Sequence, residues 1–186
     1  MRQAPRHNSR ERRAARPLDG ARLNEMALAY VARFATSAAR LESYLRRKLK
    51  ERGWDGEGPP PVETLVERMV AAGYVDDAVY ARAKSGSLMR RGYGARRVDQ
   101  ALGAAGIDAG LRDEVRASKA DQRQAALALA ERRRFGPFAM QELDRPLRDK
   151  QLAAMLRAGH PLDMARELVN ADSIEAARDW AESDED

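Results

Sequence analysis

Apolar residues recur along the chain with the spacing of successive amphipathic helices. The first such face is formed by Leu23, Met26, Ala27, Tyr30, Val31 and Phe34. This i, i+3, i+4, i+7 pattern is typical of a helix that buries one side. A second helix is predicted from the cap residue Ser37 to Gly53, and a third from Pro61 to just before Gly73.

The same order of helix signals appears again further along the chain. Asp76 is placed to cap a helix carrying Val79, Ala83 and Leu88, Gly94 precedes another, and Asp108 opens a short third one. A long Ala-rich helix is then predicted near residues 119–134. Two more helices follow an irregular segment at 135–138 that contains Gly and Pro.

Three glycines set the register of these helices. Gly53, Gly106 and Gly159 are 53 residues apart, and each follows a predicted helix and precedes another. The interval predicts an all-α fold of three tandem three-helix repeats that form an elongated, curved array. An ordinary helical bundle with evenly placed glycine caps is the alternative.

The same signals divide the chain into five parts. We predict a disordered basic arm at 1–19, repeats at 20–73, 74–118 and 119–171, and a terminal helix with an acidic tail at 172–186. Ala and Leu number 53 whereas Val, Ile and Thr number 13, which argues against a β-rich fold. The net charge of +5 combines +4 in the arm, +6 in the middle and −5 in the last eight residues.

Few residues of the chain suit catalysis or metal binding. Cysteine is absent and the histidines are His7 and His160, so a Cys-based site or a two-His metal site cannot be assembled. Asp76 and Asp77 form a carboxylate pair that fits either helix capping or Mg²⁺, and capping is favoured. We expect no cofactor, no metal and no enzymatic activity. The longest apolar run spans only residues 26–32, which favours a cytoplasmic protein without a membrane segment.

Basic residues cluster at two places that suit an acidic partner. The second predicted helix carries one cluster, and the turn at Gly92–Gly94 is flanked by the other. The candidate partner-binding residues are Arg40, Arg46, Arg47, Lys48, Lys50, Arg90, Arg91, Arg96 and Arg97. The turn itself is either a phosphate or acidic-partner contact at a helix N-terminus or a solvated connection between helices.

Several of these segments resemble the RecX family of regulatory proteins. Residues 73–82 (GYVDDAVYAR), followed by 91–94 (RGYG) and 105–107 (AGI), resemble its central signature. Residues 27–30, Ser37, 45–49 and 53–54 resemble its opening, and 148–166 its last repeat. The resemblance covers about residues 22–170. Arg40 departs from it, because many relatives place an acidic residue there, and so does the interrupted segment 135–145.

The resemblance implies a non-enzymatic regulator of recombination and DNA repair. Such a protein, expected to be a monomer, binds the RecA recombinase filament and inhibits its ATPase, filament extension and strand exchange. Guanidinium groups on the basic helices then pair with filament carboxylates or with phosphates of the bound DNA. Two alternatives are a helical module that binds single- or double-stranded DNA directly through its phosphate backbone and a metal-dependent nuclease that uses Asp76 and Asp77.

Overall fold

The computed structural model describes residues 16–141 and 144–183, and this part of the chain is almost entirely helical. Helices α1 to α10 cover, in chain order, Gly20–Arg33, Ala38–Arg52, Val62–Ala71, Asp77–Arg90, Ala95–Gly103, Ala109–Glu114, Lys119–Arg133, Arg145–Ala158, Leu162–Asn170 and Ile174–Glu182. A 3₁₀ turn spans Gly136–Phe138. The all-α class and the tandem three-helix organisation are confirmed. No helix in these ranges has the length and apolar character needed to cross a membrane.

Side-chain caps and left-handed glycines fix the helix ends where the sequence predicts them. The carboxylates of Asp76 and Asp108 accept the N–H groups of Val79 and Leu111, at 2.8 and 3.0 Å. The three glycines in register have φ angles of +82°, +75° and +98° at the ends of α2, α5 and α8. Such angles cost glycine little, and this explains its use at these ends.

The chain divides into two compact units. The first comprises the described residues up to Phe34 together with Leu41–Tyr74, and the second comprises Ala35–Arg40 and the chain from Val75 onward. The first unit buries apolar side chains from each of its helices. They include Leu23, Ala27, Leu41, Leu45, Val62, Leu65, Val66 and Met69.

Leu18 lies within the predicted disordered arm at 1–19, but it is part of the folded structure. Its side chain is fully buried, its N–H donates to the Gly53 carbonyl at 3.0 Å, and its own carbonyl accepts from Asp55 at 2.8 Å. The prediction for 1–19 is therefore wrong at its C-terminal end, because one apolar residue carries no periodic signal. Residues 1–15 of that predicted arm, and residues 184–186 of the predicted acidic tail, lie outside the described residues.

The second unit contains two adjoining apolar clusters. One joins α4, α5 and Ala125 of α7, with Tyr80, Leu88, Val98 and Leu102 in its interior. The other is formed by α7, α8, α9 and α10. Because α7 contributes to both clusters, it connects the two helical groups of this unit.

Some positions that the apolar pattern assigns to buried helix faces are exposed. Val79 is 55% exposed and Ala83 is exposed, whereas α4 buries Tyr80 and Ala81 instead. Phe34 is 50% exposed, because α1 ends at Arg33 and Phe34 continues in extended conformation.

Candidate partner-binding surface

At the turn formed by Gly92–Gly94, the N-terminus of α5 contacts the C-terminus of α8. The Gly94 N–H donates to the Ala158 carbonyl at 2.9 Å, and the Arg96 N–H donates to the Gly159 carbonyl at 3.3 Å. The Arg96 guanidinium adds a 2.8 Å bond to the Leu156 carbonyl. These N–H groups are used inside the protein, so the geometry favours a structural connection over an anion site at this turn.

Gly159 allows this close approach. A Cβ at Gly159 would lie 2.5 Å from the backbone nitrogen of Arg97 and 2.7 Å from its Cβ, closer than real side chains come. The left-handed φ of Gly159 and the absence of a side chain are both required here.

The first turn of α2 meets the end of α5 in a related way. The Ser37 hydroxyl donates to the Ala105 carbonyl at 2.5 Å, and a Cβ at Gly106 would collide with Ala39. The Asp77 carboxylate accepts the N–H of Ala38 at 2.9 Å, which joins the start of α4 to the start of α2.

The hydrogen bond between Asp77 and Ala38 also indicates the role of the Asp76–Asp77 pair. Asp76 caps its own helix and Asp77 caps α2, so both carboxylates bind backbone N–H groups. No group of three or more metal-ligating side chains occurs within residues 16–141 and 144–183. The geometry favours the capping interpretation over the Mg²⁺ interpretation of this pair.

His160 lies buried between the two helix ends at the α5–α8 junction. Its Nε2 lies 3.0 Å from the Gly92 carbonyl, and within the described part of the chain its buried Nδ1 has no hydrogen-bond partner. Burial lowers the pKa of His160, and the bond to the Gly92 carbonyl only partly opposes this shift. His160 therefore releases its proton at a lower pH than an exposed histidine does.

Three of the predicted contact residues on α2 are already paired. Arg46 binds Glu42 at 2.8 Å and also Glu63, and the hydrogen bond with Glu42 is the main cause that raises the pKa of Arg46. Glu51 pairs with Lys48 at 2.5 Å and with Arg47 at 3.7 Å.

The hydrogen bond from Lys48 is the main cause that lowers the pKa of Glu51. The pKa of Glu63 is lowered by its own backbone N–H and, to a lesser extent, by Arg46. This part of α2 therefore presents balanced charge rather than a purely basic face.

The other six predicted residues differ in their contacts. Arg40 donates to the Tyr80 hydroxyl at 2.8 Å, and Arg96 binds the end of α8. The remaining four, Lys50, Arg90, Arg91 and Arg97, form no ion pair or side-chain hydrogen bond with any described residue. All four are exposed, and Arg91 lies 5.5 Å from the centre of the Tyr93 ring.

The repeat register does not place the two basic clusters at equivalent positions. The residues 53 positions after Arg46 and Arg47 are Asp99 and Gln100. Apart from Arg40, the cations of the first cluster lie in the second half of α2, whereas those of the second cluster lie at the end of α4, just after it, and in the first turn of α5. The two clusters are thus separate features and not one repeated site.

Sequence reasoning missed a second set of cations next to Tyr93. Arg132, Arg133 and Arg157 line a cavity of about 250 Å³ at the ends of α7 and α8, and Tyr93 forms part of its wall. The run of three arginines at 132–134 was visible in the sequence, but nothing local to it indicated the approach of Arg157 from another helix.

Arg90 borders a separate and larger groove of the second unit. This groove has a volume of about 580 Å³ and lies between α4, the chain after α6, and α7. Its walls combine Met89, Val115 and Ala125 with the arginines Arg82 and Arg90.

The fold defines this chain as an all-α protein of tandem three-helix repeats, and comparison with known proteins identifies its family. Residues 76–115, which hold α4, α5 and α6, match the family model of the second three-helix domain of RecX. The chain is 32% identical over 162 residues to the regulatory protein RecX of Myxococcus xanthus, which covers 80% of this chain and 84% of the relative. The chain therefore belongs to the RecX family of regulatory proteins.

Further relatives agree with this assignment. The regulatory protein RecX of Deinococcus radiodurans is 37% identical over 125 residues, or 66% of this chain and 58% of the relative. The crystal structure of RecX from Lactobacillus salivarius shares the fold with a TM-score of 0.62 at 17% identity, over 80% of this chain and 93% of that one. A second RecX crystal structure gives 0.62 at 19% identity, over 82% and 72%.

Proposed function

We propose that this protein binds the RecA recombinase filament and inhibits its ATPase, filament extension and strand exchange. The observation that carries the proposal is membership of the RecX family, at 32% identity over 80% of the chain. The protein acts by binding and not by catalysis, in the cytoplasm where the filament assembles. The capping roles of Asp76 and Asp77 support this choice over a nuclease.

The contact surface proposed for the filament is the set of arginines around α5. Arg90, Arg91 and Arg97 are exposed and form no ion pair with a described residue, so a carboxylate of the partner can bind them without first breaking an internal pair. Arg46, Arg47 and Lys48 already pair with glutamates and contribute less. Arg40 and Arg96 support the surface from hydrogen-bonded positions. Lys50 belongs to the first unit and is proposed as a separate contact residue.

An ATPase titration tests the proposal. RecA is assembled on single-stranded DNA with ATP, and this protein is added from substoichiometric to equimolar amounts. ATP turnover is expected to fall well before the two proteins are equimolar, because one bound regulator blocks extension past its position. Unchanged turnover at every ratio would overturn the proposal.

Matched variants then test the contact surface. The variant R90A/R91A/R97A is expected to need about tenfold more protein for equal inhibition, since each lost charged hydrogen bond weakens binding. The control R145A/R148A/R166A removes three exposed arginines elsewhere in the second unit and is expected to inhibit normally. Equal inhibition by both variants would place the contact on another surface.

Direct DNA binding, the alternative function, makes a different prediction. It requires tight binding to DNA in the absence of RecA, with an affinity that falls steeply as salt is raised. Inhibition that persists when extra single-stranded DNA is supplied contradicts this alternative, because a DNA-sequestering protein is titrated away by excess DNA.

A further inference from the structure

The cavity at the ends of α7 and α8, called here the α7–α8 pocket, has aromatic walls and a charged rim. Tyr93 and Phe135 both form part of its lining, and Arg132, Arg133 and Arg157 line it as well. A neighbouring cavity of about 470 Å³ shares Arg133 and Phe135 and adds Arg134 and Lys150. The pocket lies wholly within the second unit.

Backbone contacts hold the Phe135 wall in place. The Phe135 N–H donates to the Ala130 carbonyl at 2.9 Å. The next N–H, that of Gly136, donates to Oε1 of the buried Gln151 at 2.8 Å. Gly136 also packs so closely on the Leu168 carbonyl that a Cβ there would collide with it. This wall is therefore formed before any ligand arrives.

The Tyr93 wall is fixed in the same manner. Its N–H donates to the Leu88 carbonyl at 3.1 Å, and its two glycine neighbours are both engaged. Gly92 bonds to His160 through its carbonyl, and Gly94 donates to Ala158. A site whose walls are set by backbone bonds loses little conformational entropy when it binds a ligand.

The three rim arginines are not needed to complete the helix ends. The Ala130 carbonyl of α7 accepts the N–H groups of Arg134 and Phe135, and the Ala158 carbonyl of α8 accepts that of Gly94. Arg132, Arg133 and Arg157 are exposed and form no ion pair or side-chain hydrogen bond with any residue in the described ranges. Their guanidinium groups are therefore available to an anion that enters the pocket.

We propose that the α7–α8 pocket is a binding site for phosphate groups. Guanidinium groups present paired N–H donors in the planar geometry that phosphate oxygens accept, and several of them around one cavity match a multiply charged oxyanion. A volume of about 250 Å³ suits a phosphate or diphosphate group rather than a large organic ligand. The source is either a free polyphosphate or the backbone of a nucleic acid, and the site does not depend on the RecA proposal.

The experiment compares three forms of the full chain. They are the unaltered protein, the pocket variant R132Q/R133Q/R157Q and the control R145Q/R148Q/R166Q, which loses the same charge from exposed arginines that line neither of the two cavities. Binding of inorganic pyrophosphate and of a single-stranded oligonucleotide is measured by calorimetry and anisotropy. Circular dichroism and thermal unfolding establish that the three proteins are equally folded.

The pocket variant is expected to lose at least about tenfold in affinity for one or both probes, while the control retains it. Loss for pyrophosphate identifies a site for free phosphates, and loss confined to the oligonucleotide identifies the nucleic-acid backbone. Absence of binding of either probe to the unaltered protein, or equal binding by all three proteins, overturns the proposal. Inhibition of RecA is a separate readout, so the two proposals fail independently.

Discussion

The hydroxyl of Ser37 donates a hydrogen bond to the carbonyl of Ala105, 68 residues further along the chain, at 2.5 Å. The same oxygen accepts the N–H of Arg40 at 3.3 Å and so caps α2. One fully buried side chain thus begins one helix and contacts the chain just beyond the end of another. This hydroxyl therefore contributes both to the start of α2 and to its contact with the chain after α5.

Replacement of this hydroxyl tests the junction. Ser37→Ala leaves the Ala105 carbonyl without its partner and removes one of the two side-chain caps of α2, so we expect a loss of about 1–3 kcal/mol in the free energy of unfolding. Urea unfolding measures the effect. Ser43→Ala, in the exposed middle of the same helix, is the control and should change stability little. Equal stability of the two variants would contradict the role given to Ser37.

Substitutions at Gly53 and Gly159, two glycines of the 53-residue register, distinguish the cost of backbone strain from the cost of a steric clash. Gly53 and Gly159 both have left-handed φ, but a Cβ at Gly53 meets nothing within 4 Å, whereas one at Gly159 meets Arg97. Gly53→Ala is expected to cost about 1–2 kcal/mol from the backbone conformation alone. Gly159→Ala should cost about 1–3 kcal/mol more, because α5 must move away from α8. Similar melting temperatures for the two variants would show that this contact is loose.

His160 gives the junction of α5 and α8 a dependence on pH. Burial lowers the pKa of His160 below its usual value of 6.5, so the unfolded chain binds the proton more readily than the folded protein. The contribution of neutral His160 to the free energy of unfolding is complete above about pH 6.5 and decreases as the pH falls below that value.

The variant His160→Gln isolates this effect. Glutamine can still donate to the Gly92 carbonyl but does not titrate, so its stability relative to the unaltered protein should rise as the pH is lowered from about 7.5 to about 5.5. Chemical unfolding at several pH values provides the measurement, and His7→Gln is the control for the other histidine. A stability difference that is constant with pH would show that His160 has the same pKa in both states.

Arg96 and Arg97 are adjacent in sequence but are expected to respond differently to substitution. Arg96→Ala removes the hydrogen bond to the Leu156 carbonyl and should lower the free energy of unfolding by about 0.5–1.5 kcal/mol. Arg97→Ala breaks no side-chain hydrogen bond within the described chain, so it should leave stability unchanged and weaken inhibition of RecA. Paired unfolding and ATPase measurements check both expectations, and the reverse outcome would exchange the roles of the two arginines.

The helix order could be predicted because its signals are local. Asp76 and Asp108 cap the helices that follow them, and Gly53, Gly106 and Gly159 each end one, through hydrogen bonds and φ angles set within a few residues. The buried side of α4 was harder to predict, since Val79, Tyr80 and Ala81 are all apolar or aromatic and periodicity alone does not choose between them.

The contacts of some cations were beyond local reasoning. Arg46 pairs with Glu42 one turn away in its own helix, but its second partner, Glu63, approaches from α3. Arg157 lines the α7–α8 pocket because α8 ends beside α7. Such contacts depend on how the helices pack, and residue spacing within one helix does not contain that information. The basic clusters could be located from the sequence, but which of their charges are free could not.

The junction at Ser37 has a consequence for synthesis on the ribosome. Its hydroxyl emerges 68 residues before its acceptor, and the Gly94 N–H likewise precedes the Ala158 carbonyl that it binds. Neither helix start can therefore make its contact with the following repeat until that repeat has been translated. A nascent chain stalled before residue 105 cannot complete either junction, so full protection from proteases should arise only near the end of translation.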